Sequence, residues 1–363
     1  MEDMVNPSPN FWRGKRVLLT GHTGFKGAWL AIWLTRLGAQ VYGFALAPQP
    51  KPNLFLLAGL GAGLAHMEGD VCDDQAVKSA VAQAQPQIVL HLAAQALVRR
   101  SYAHPLETLA TNVMGTARLL DALREAPDVR AVVVVTTDKC YENREWEWSY
   151  RENDPLGGRD PYSASKAAAE IVTAMYRESF LVARGVAVAS ARAGNVVGGG
   201  DWAEDRLVPD CVRAFERGER MMMRNPSAVR PWQHVLEPLA GYLLLAERLC
   251  DGDAASKGYT TAFNFGPSVD DVRPVGWVVA EVARLWGPSA AWEIDAGAHP
   301  HEAKMLSLDA ARARGRLSWW PRLSLAQCLQ WTVEWYRAVA DGASALVMTE
   351  AQIDRYVSMK DQS

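Results

Sequence analysis

Residues 16–27 read RVLLTGHTGFKG, a short apolar run that breaks into glycines at positions 21, 24 and 27. Arg16–Thr20 has the make-up of a buried strand. Thr20-Gly21-His22-Thr23-Gly24-Phe25-Lys26-Gly27 then supplies G-x-x-G-x-x-G, and Ala28–Leu37 continues as an apolar helix stopped by Gly38. In such a strand, turn and helix, the glycines let backbone come close to a pyrophosphate. The helix N-terminus adds free N–H groups and a partial positive charge.

Outward from this unit the first half of the chain alternates strand-length apolar runs with helical patterns, which predicts a parallel sheet with crossover helices. Val41–Leu46, Ile88–Ala93, Ala131–Thr136 and Val186–Ala191 read as strands; Asp74–Gln83, Leu106–Arg124 and Tyr162–Ala183 read as helices. After about residue 192 the texture changes. Val196–Asp201 is glycine-rich and Gly218–Arg230 is irregular, whereas a helix at Leu236–Leu249 and a strand at Ala262–Phe265 have the character of the first half. Helices are also expected near Val275–Trp286, Asp309–Gly315 and Leu325–Val339. The expected fold is α/β, a Rossmann-type doubly wound parallel sheet with a smaller C-terminal mixed α/β lobe. Residues 1–192, with 231–266 rejoining them, form the dinucleotide-binding part; 193–230 and 267–363 form the substrate lobe.

The glycine turn predicts a dinucleotide cofactor held by residues 21–27, with His22 either a cofactor contact or loop packing. Two further segments fit its path. Asp70, in Gly69-Asp70-Val71, is placed to accept from an adenine amino group or to cap a helix. Leu92-Ala93-Ala94 ends a strand in small side chains, against which a cofactor can lie. The acid that often follows the second strand to hold ribose hydroxyls is missing from Gly43–Pro48, and so is an arginine for a 2′-phosphate. NAD is favoured, with NADP left open.

Tyr162-Ser163-Ala164-Ser165-Lys166 opens a helix after Asp160-Pro161, and the i, i+4 spacing puts phenol and ammonium on one face. A tyrosine with an ordinary pKa of about 10 needs a shift of roughly three units, ~4 kcal/mol, to act as a base near neutrality. A neighbouring lysine and a positive nicotinamide ring together favour the phenolate. The valines at 132–135 predict a central strand. Thr136-Thr137-Asp138-Lys139-Cys140-Tyr141 at its C-terminal end falls where ligands bind in open α/β sheets. There Thr137 is suited to donate to a sugar hydroxyl, and Asp138 and Lys139 put an acid beside a base; an ordinary solvated turn is the bland alternative.

These residues resemble the extended short-chain dehydrogenase/reductase family, and within it the sugar-nucleotide 4,6-dehydratases, most of all the branch acting on CDP-glucose. The resemblance runs through Gly21–Gly27, Thr137–Asn143, Asp160–Ser163, Arg192–Asn195 and Arg230–Val235, and covers about residues 12–310. It implies NAD as cofactor and a nucleoside-diphosphate hexose as substrate. Tyr162 with Lys166 would take the C4 hydroxyl proton, and Asp138 would protonate the departing C6 hydroxyl. In the dTDP-glucose branch a glutamate stands where this chain has Lys139, so the C5 base is either a neutral Lys139 or another group. Asn195 and Arg230 are the phosphate-contact candidates by resemblance, followed by Asn264 and His301; the bland alternatives are a turn residue at Asn195, a satisfied strand end at Asn264 and a surface position for His301. A sugar-nucleotide 4-epimerase is the rival reading, sharing Tyr162/Lys166 but needing no acid/base pair at C5 and C6. A non-catalytic NAD-binding regulator is the third.

Composition bounds the partners. The chain has 363 residues, 49% hydrophobic and 22% charged, with a formal net charge of −3, which argues against nucleic acid. No apolar run approaches the roughly 18 residues of a membrane span, and Met1–Arg13 lacks the apolar core of a signal peptide. Five scattered cysteines suit reduced thiols, and the histidines have no metal-ligand spacing, so no metal is expected. The expected protein is cytoplasmic, without membrane association. The family resemblance implies a homodimer or higher homo-oligomer, paired through helices such as Leu106–Arg124 and Tyr162–Ala183.

Overall fold

The computed structural model of the chain describes residues 5–49, 51–295, 297 and 305–359. Its strands are β1 (Arg16–Thr20), β2 (Gln40–Ala45), β3 (Ala65–Glu68), β4 (Ile88–His91), β5 (Ala131–Val135), β6 (Ala187–Ala193), β7 (Asn195–Val197), β8 (Arg220–Met223), β9 (Val229–His234), β10 (Ala262–Phe265), β11 (Val272–Pro274) and β12 (Ala291–Ile294). Seven of them form one parallel sheet in the order β10-β6-β5-β4-β1-β2-β3.

Every residue of β4 and β5 is buried, because helices cover both faces of the sheet. Alternation along the strands divides the core in two. Val17, Leu19, Leu90 and Val133 pack with the helices Phe25–Arg36 and Leu236–Leu249 on one face. Leu18, Val89, Val132 and Val134 pack with Val77, Leu119 and Leu120 on the other. Strand order reverses beside β1, which lies between β2 and β4, and this opens a crevice at the C-terminal edge of the sheet.

The expected sheet strands and the helices Leu236–Leu249 and Val275–Trp286 stand where the sequence puts them, to within a few residues. Others differ, for physical reasons. β3 is a short, largely solvent-facing edge strand with no apolar run to betray it. The segment read as irregular holds β8, which pairs with β12, and β9 pairs with β7 and β11 in a third small sheet. Leu106–Arg124 is not one regular helix: Pro105–Leu109 and Thr116–Ala122 flank a π-helical turn at Ala110–Gly115. The unanticipated helix Ala345–Val357 packs against Phe25–Arg36, with the rings of Trp33 and Tyr356 5.9 Å apart. No helix of the described residues is long and apolar enough to cross a membrane.

One buried charge ties this C-terminal helix to the sheet layer. Glu237, 1% exposed, accepts from the backbone N–H groups of Arg322 and Leu323, both at 2.8 Å, and from the Tyr356 hydroxyl at 2.7 Å. Burial raises its pKa to about 7 despite those donors. A carboxyl raised on folding adds stability that is whole below its unfolded value of about 4.3 and is lost as pH rises through the folded value. Glu237→Gln keeps both backbone donors on Oε1 and can donate from its amide nitrogen to the Tyr356 oxygen, without the charge. Its thermal midpoint should therefore fall less than that of the native protein from about pH 5 to about pH 8; parallel melting profiles would contradict this.

Candidate active site

The crevice is a cavity of ≈ 1190 Å³, above the roughly 300–1,000 Å³ usual for a single small molecule. Its first wall is the glycine turn. Gly21 has φ +77°, and a Cβ there would lie 2.7 Å from the Ala93 nitrogen. A Cβ on Gly27 would meet the Gly21 carbonyl at 2.1 Å. Side chains are thus excluded where the turn touches the exit of β4 and its own helix. Gly24 is the N-cap of Phe25–Arg36 and gives no side-chain cap, so the first-turn N–H groups are left to a ligand at the cavity edge.

Thr23, Gly24, Phe25, Lys26, Asp70, Val71, Leu92, Ala93 and Ala94 all line this wall. His22 does not. It is fully buried behind the turn, packed on Gly43, bonded to His66 at 2.7 Å and edge-on to Phe55. A direct cofactor contact from His22 is therefore corrected to a packing role. Asp70 is not the helix cap, a place taken by Asp73; the Asp70 carboxylate accepts from the Cys72 N–H at 2.8 Å. An uncapped helix end behind side-chain-free backbone fits the pyrophosphate of a dinucleotide.

The second wall carries the acid/base candidates. β5 ends in a short 3₁₀ turn, Asp138–Cys140, capped by Thr137. The Thr137 hydroxyl donates to Asp138 Oδ1 at 2.9 Å, while Asp138 Oδ2 is buried with no hydrogen-bond partner. Opposite, Asp160 caps the helix Pro161–Tyr176 by accepting from the Ser163 N–H at 2.9 Å, which sets Tyr162 in the first turn. One turn later Lys166 reaches back to the β5 end and donates to the Val135 carbonyl at 3.2 Å. Asn112, in the π-helical turn, donates to the Gln95 carbonyl at 3.0 Å and to Ser165 Oγ at 2.8 Å, bracing the helix from behind. Thr137, Asp138, Lys139, Tyr162 and Lys166 all face one cavity.

The far wall comes from the smaller sheets and their loops. Asn195 and Arg230 line it, as does Arg206, which pairs with Asp201 at 2.8 Å. Arg99 and Arg224 also line it, both paired with Asp205. Arg206 belongs to no motif, and its place is visible only once the 198–206 loop folds over the cavity. Asn264 is a correction: it is fully buried outside the cavity, accepting from the Tyr141 hydroxyl at 2.6 Å and donating to the Tyr150 carbonyl at 2.9 Å. Its side chain is used up joining β10 to the 141–150 segment. His301 lies outside the described residues. Among the described residues no group of three or more His, Cys, Asp or Glu could hold a metal ion.

Burial controls the titration of the site. It raises Asp138, against the opposing charges of Lys139, Arg230 and Lys26, and so favours a protonated acid. It pushes Tyr162 up to about 12, although Thr137 and Arg206 pull the other way. Burial lowers Lys166 to about 8, against Glu170, and lowers Lys26 to about 7, helped by Arg206 and opposed by Asp138. The arrangement holds a proton donor at 138, amines close to neutrality, and a phenol that needs a further positive charge beside it to ionise.

Residues 18–332 match the family model described as GDP-mannose 4,6 dehydratase. A CDP-glucose 4,6-dehydratase of Salmonella typhimurium is 48% identical over 355 residues, covering 96% of this chain and 98% of the relative. A dTDP-glucose 4,6-dehydratase of Streptomyces antibioticus is 32% identical over 75% of this chain and 76% of its own. Among solved structures, a dTDP-glucose 4,6-dehydratase double mutant from Streptomyces venezuelae with NAD bound has TM-score 0.77 and 25% identity, covering 91% of this chain and 99% of that one. A UDP-glucose 4-epimerase from Thermotoga maritima has TM-score 0.76 at 22% identity, over 89% and 99%, and shares the fold.

The electrostatics give a direct expectation for the protein without ligands. Phenolate absorbance of the native protein minus that of Tyr162→Phe should stay flat from neutrality and rise only toward pH of about 12. A step near neutral pH would show that Tyr162 ionises without help.

Proposed function

The chain belongs to the GDP-mannose 4,6-dehydratase family, within the extended short-chain dehydrogenases/reductases, and from this we propose that it is an NAD-dependent hydro-lyase converting CDP-D-glucose to CDP-4-keto-6-deoxy-D-glucose. One observation carries the choice of dehydration over epimerisation. A buried carboxyl, Asp138, shares its cavity with Tyr162 and keeps one oxygen without a protein partner. Epimerisation at C4 has no use for such an acid, whereas elimination across C5–C6 needs a proton for the leaving hydroxyl.

The glycine turn, Asp70, Val71 and Leu92–Ala94 would hold NAD, which when bound accepts hydrogen from C4 and returns it to C6. The Lys166 ammonium stabilises the Tyr162 phenolate, whose Oη takes the proton of the C4 hydroxyl and becomes the phenol. The 4-ketone makes the C5 hydrogen acidic. An amine removes it and returns it to C5 when hydride reaches C6: Lys139 by its place beside Asp138, or Lys26 on the glycine-turn wall, which burial lowers to about 7. Asp138 gives its proton to the C6 hydroxyl, which leaves as water. Thr137, whose hydroxyl proton is given to Asp138, accepts from a sugar hydroxyl, and Asn195 and Arg230 contact the diphosphate, where a guanidinium offers a two-pronged fork.

In the same reading residues 1–192 and 231–266 serve the dinucleotide, while 193–230 and the chain from 267 serve the nucleotide sugar. Leu106, Leu109, Ile171 and Met175 are exposed apolar side chains on the two helical segments at 105–122 and 161–176, and they support pairing of two copies through those helices. Five unpaired cysteines support a cytoplasmic setting.

Mass spectrometry after incubation with CDP-, dTDP-, UDP- and GDP-glucose tests the substrate. CDP-glucose should lose one water, and an isomer of unchanged mass would favour the epimerase instead. Asp138→Asn should build up reduced nicotinamide absorbance yet form at least ~100-fold less 6-deoxy product, the scale of a lost general acid. Product at the native rate would remove Asp138 from the role of acid.

A further inference from the structure

Behind the cavity wall lies a charged pair of which the motifs contain only Arg192, with no partner indicated. Glu170 stands one turn beyond Lys166 on the Pro161–Tyr176 helix, and Arg192 stands on β6. Their charged groups are 2.8 Å apart, and each side chain is 4% exposed. Removing one member of such a pair strands the other charge, so a pair kept here needs a reason beyond net stability.

The partners supply one. Glu170 Oε1 accepts from the Thr136 hydroxyl, at the start of the turn that carries Thr137, Asp138 and Lys139. Oε2 accepts from Ser190 Oγ at 2.6 Å as well as from Arg192. Arg192 Nη1 donates to the Tyr141 hydroxyl at 2.9 Å, at the far end of the same turn, and to the Glu152 carbonyl at 3.1 Å. Tyr141 passes the chain on to Asn264 of β10. The pair therefore grips residues 136 and 141, the two ends of one turn, from the helix that bears the phenol and the ammonium.

We propose that the Glu170–Arg192 pair is the positioning element of this site: it sets the 136–141 turn against the Tyr162/Lys166 helix, and Glu170 supplies the counter-charge that keeps Lys166 an ammonium. The other groups near Lys166 are Tyr162 on its own helix, Cys140 from the turn, Lys26 from the glycine-turn helix and a neutral His91 at the end of β4. Of these only the Cys140 thiol acts with Glu170 to hold the proton on Lys166, and burial keeps that thiol protonated. Glu170 is thus the fixed anion of the set. The proposal rests on the dehydratase reading for its kinetic consequence; its electrostatic one follows from a buried carboxylate standing one helical turn from the buried Lys166.

The test uses Glu170→Gln, Glu170→Asp and Glu170→Gln/Arg192→Met, the last leaving no stranded charge if the single variant fails to fold. Lysine labelled at Cε, with Lys166 assigned through Lys166→Arg, is titrated by NMR without substrate. The Lys166 midpoint, about 8 in the native protein, should fall by about one unit in the Gln variants and stay in place in Glu170→Asp. With CDP-glucose, kcat in the Gln variants should fall at least tenfold, KM should move less than about threefold, and the high-pH limb of kcat should shift down with the lysine. A folded Gln variant with native midpoint and kcat overturns the proposal. So does a kcat loss shared by Glu170→Asp with the midpoint unmoved, which marks a plain structural brace. A native protein that dehydrates no nucleotide sugar sinks the reaction assignment, while the titration still judges Glu170.

Discussion

An ionised side chain taken out of water must find a partner or give up its charge, and this constraint organises the C-terminal edge of the sheet. Asp138, Tyr162, Lys166 and Glu170 are all under one tenth exposed. Glu170 and Arg192 meet it by pairing, which holds the Glu170 carboxyl below its ordinary value through the Arg192 charge and three hydrogen bonds. Asp138, Tyr162 and Lys166 are paired incompletely, and burial drives each toward its neutral form. Burial thus leaves an acid, a phenol and an amine close to their neutral forms in one cavity, whereas solvated groups would keep their charges.

Holding them there requires rigidity, and the fold provides it from beneath. β5 is buried along its whole length between two helical layers, so the turn that follows it leaves from a fixed point. Lys166 is anchored to the last carbonyl of that strand, and Asp160 caps the helix that bears it. The glycine turn is held by contacts too close for any side chain, which places an open helix N-terminus across the cavity from the acid/base set. Every element of the chemistry thus stands on a strand end or a helix start, where position is set by the core. The 198–206 loop is attached differently, through Trp29 and Tyr336 to Gly199 and Asp201, and it brings Arg206 over the cavity.

Much of this was legible in the chain. The strand–glycine–helix unit, the alternation of runs through residue 192 and the spacing of Tyr162 and Lys166 each depend on neighbours in sequence, and local rules read them. The Asp138/Lys139 pair was legible by its place after a run of valines. What escaped notice was either weakly patterned or set by distant partners. β3 exposes most of its surface and so has no apolar signature. Glu170 belongs to none of the spacings read from the sequence, and only the fold puts Thr136, Ser190 and Arg192 around its carboxylate. Asn264 and His22 carried functional chemistry on paper; tertiary packing spends both on internal bonds.

The sequence by itself determined the sheet class, the glycine turn and the family and named the acid/base candidates, because strand burial, helix period and glycine tolerance are properties of short segments. The tertiary structure decided which of the candidate side chains share a cavity, which are consumed by the scaffold, and what charge each bears. Those outcomes depend on desolvation and on partners tens of residues away, which no local spacing encodes.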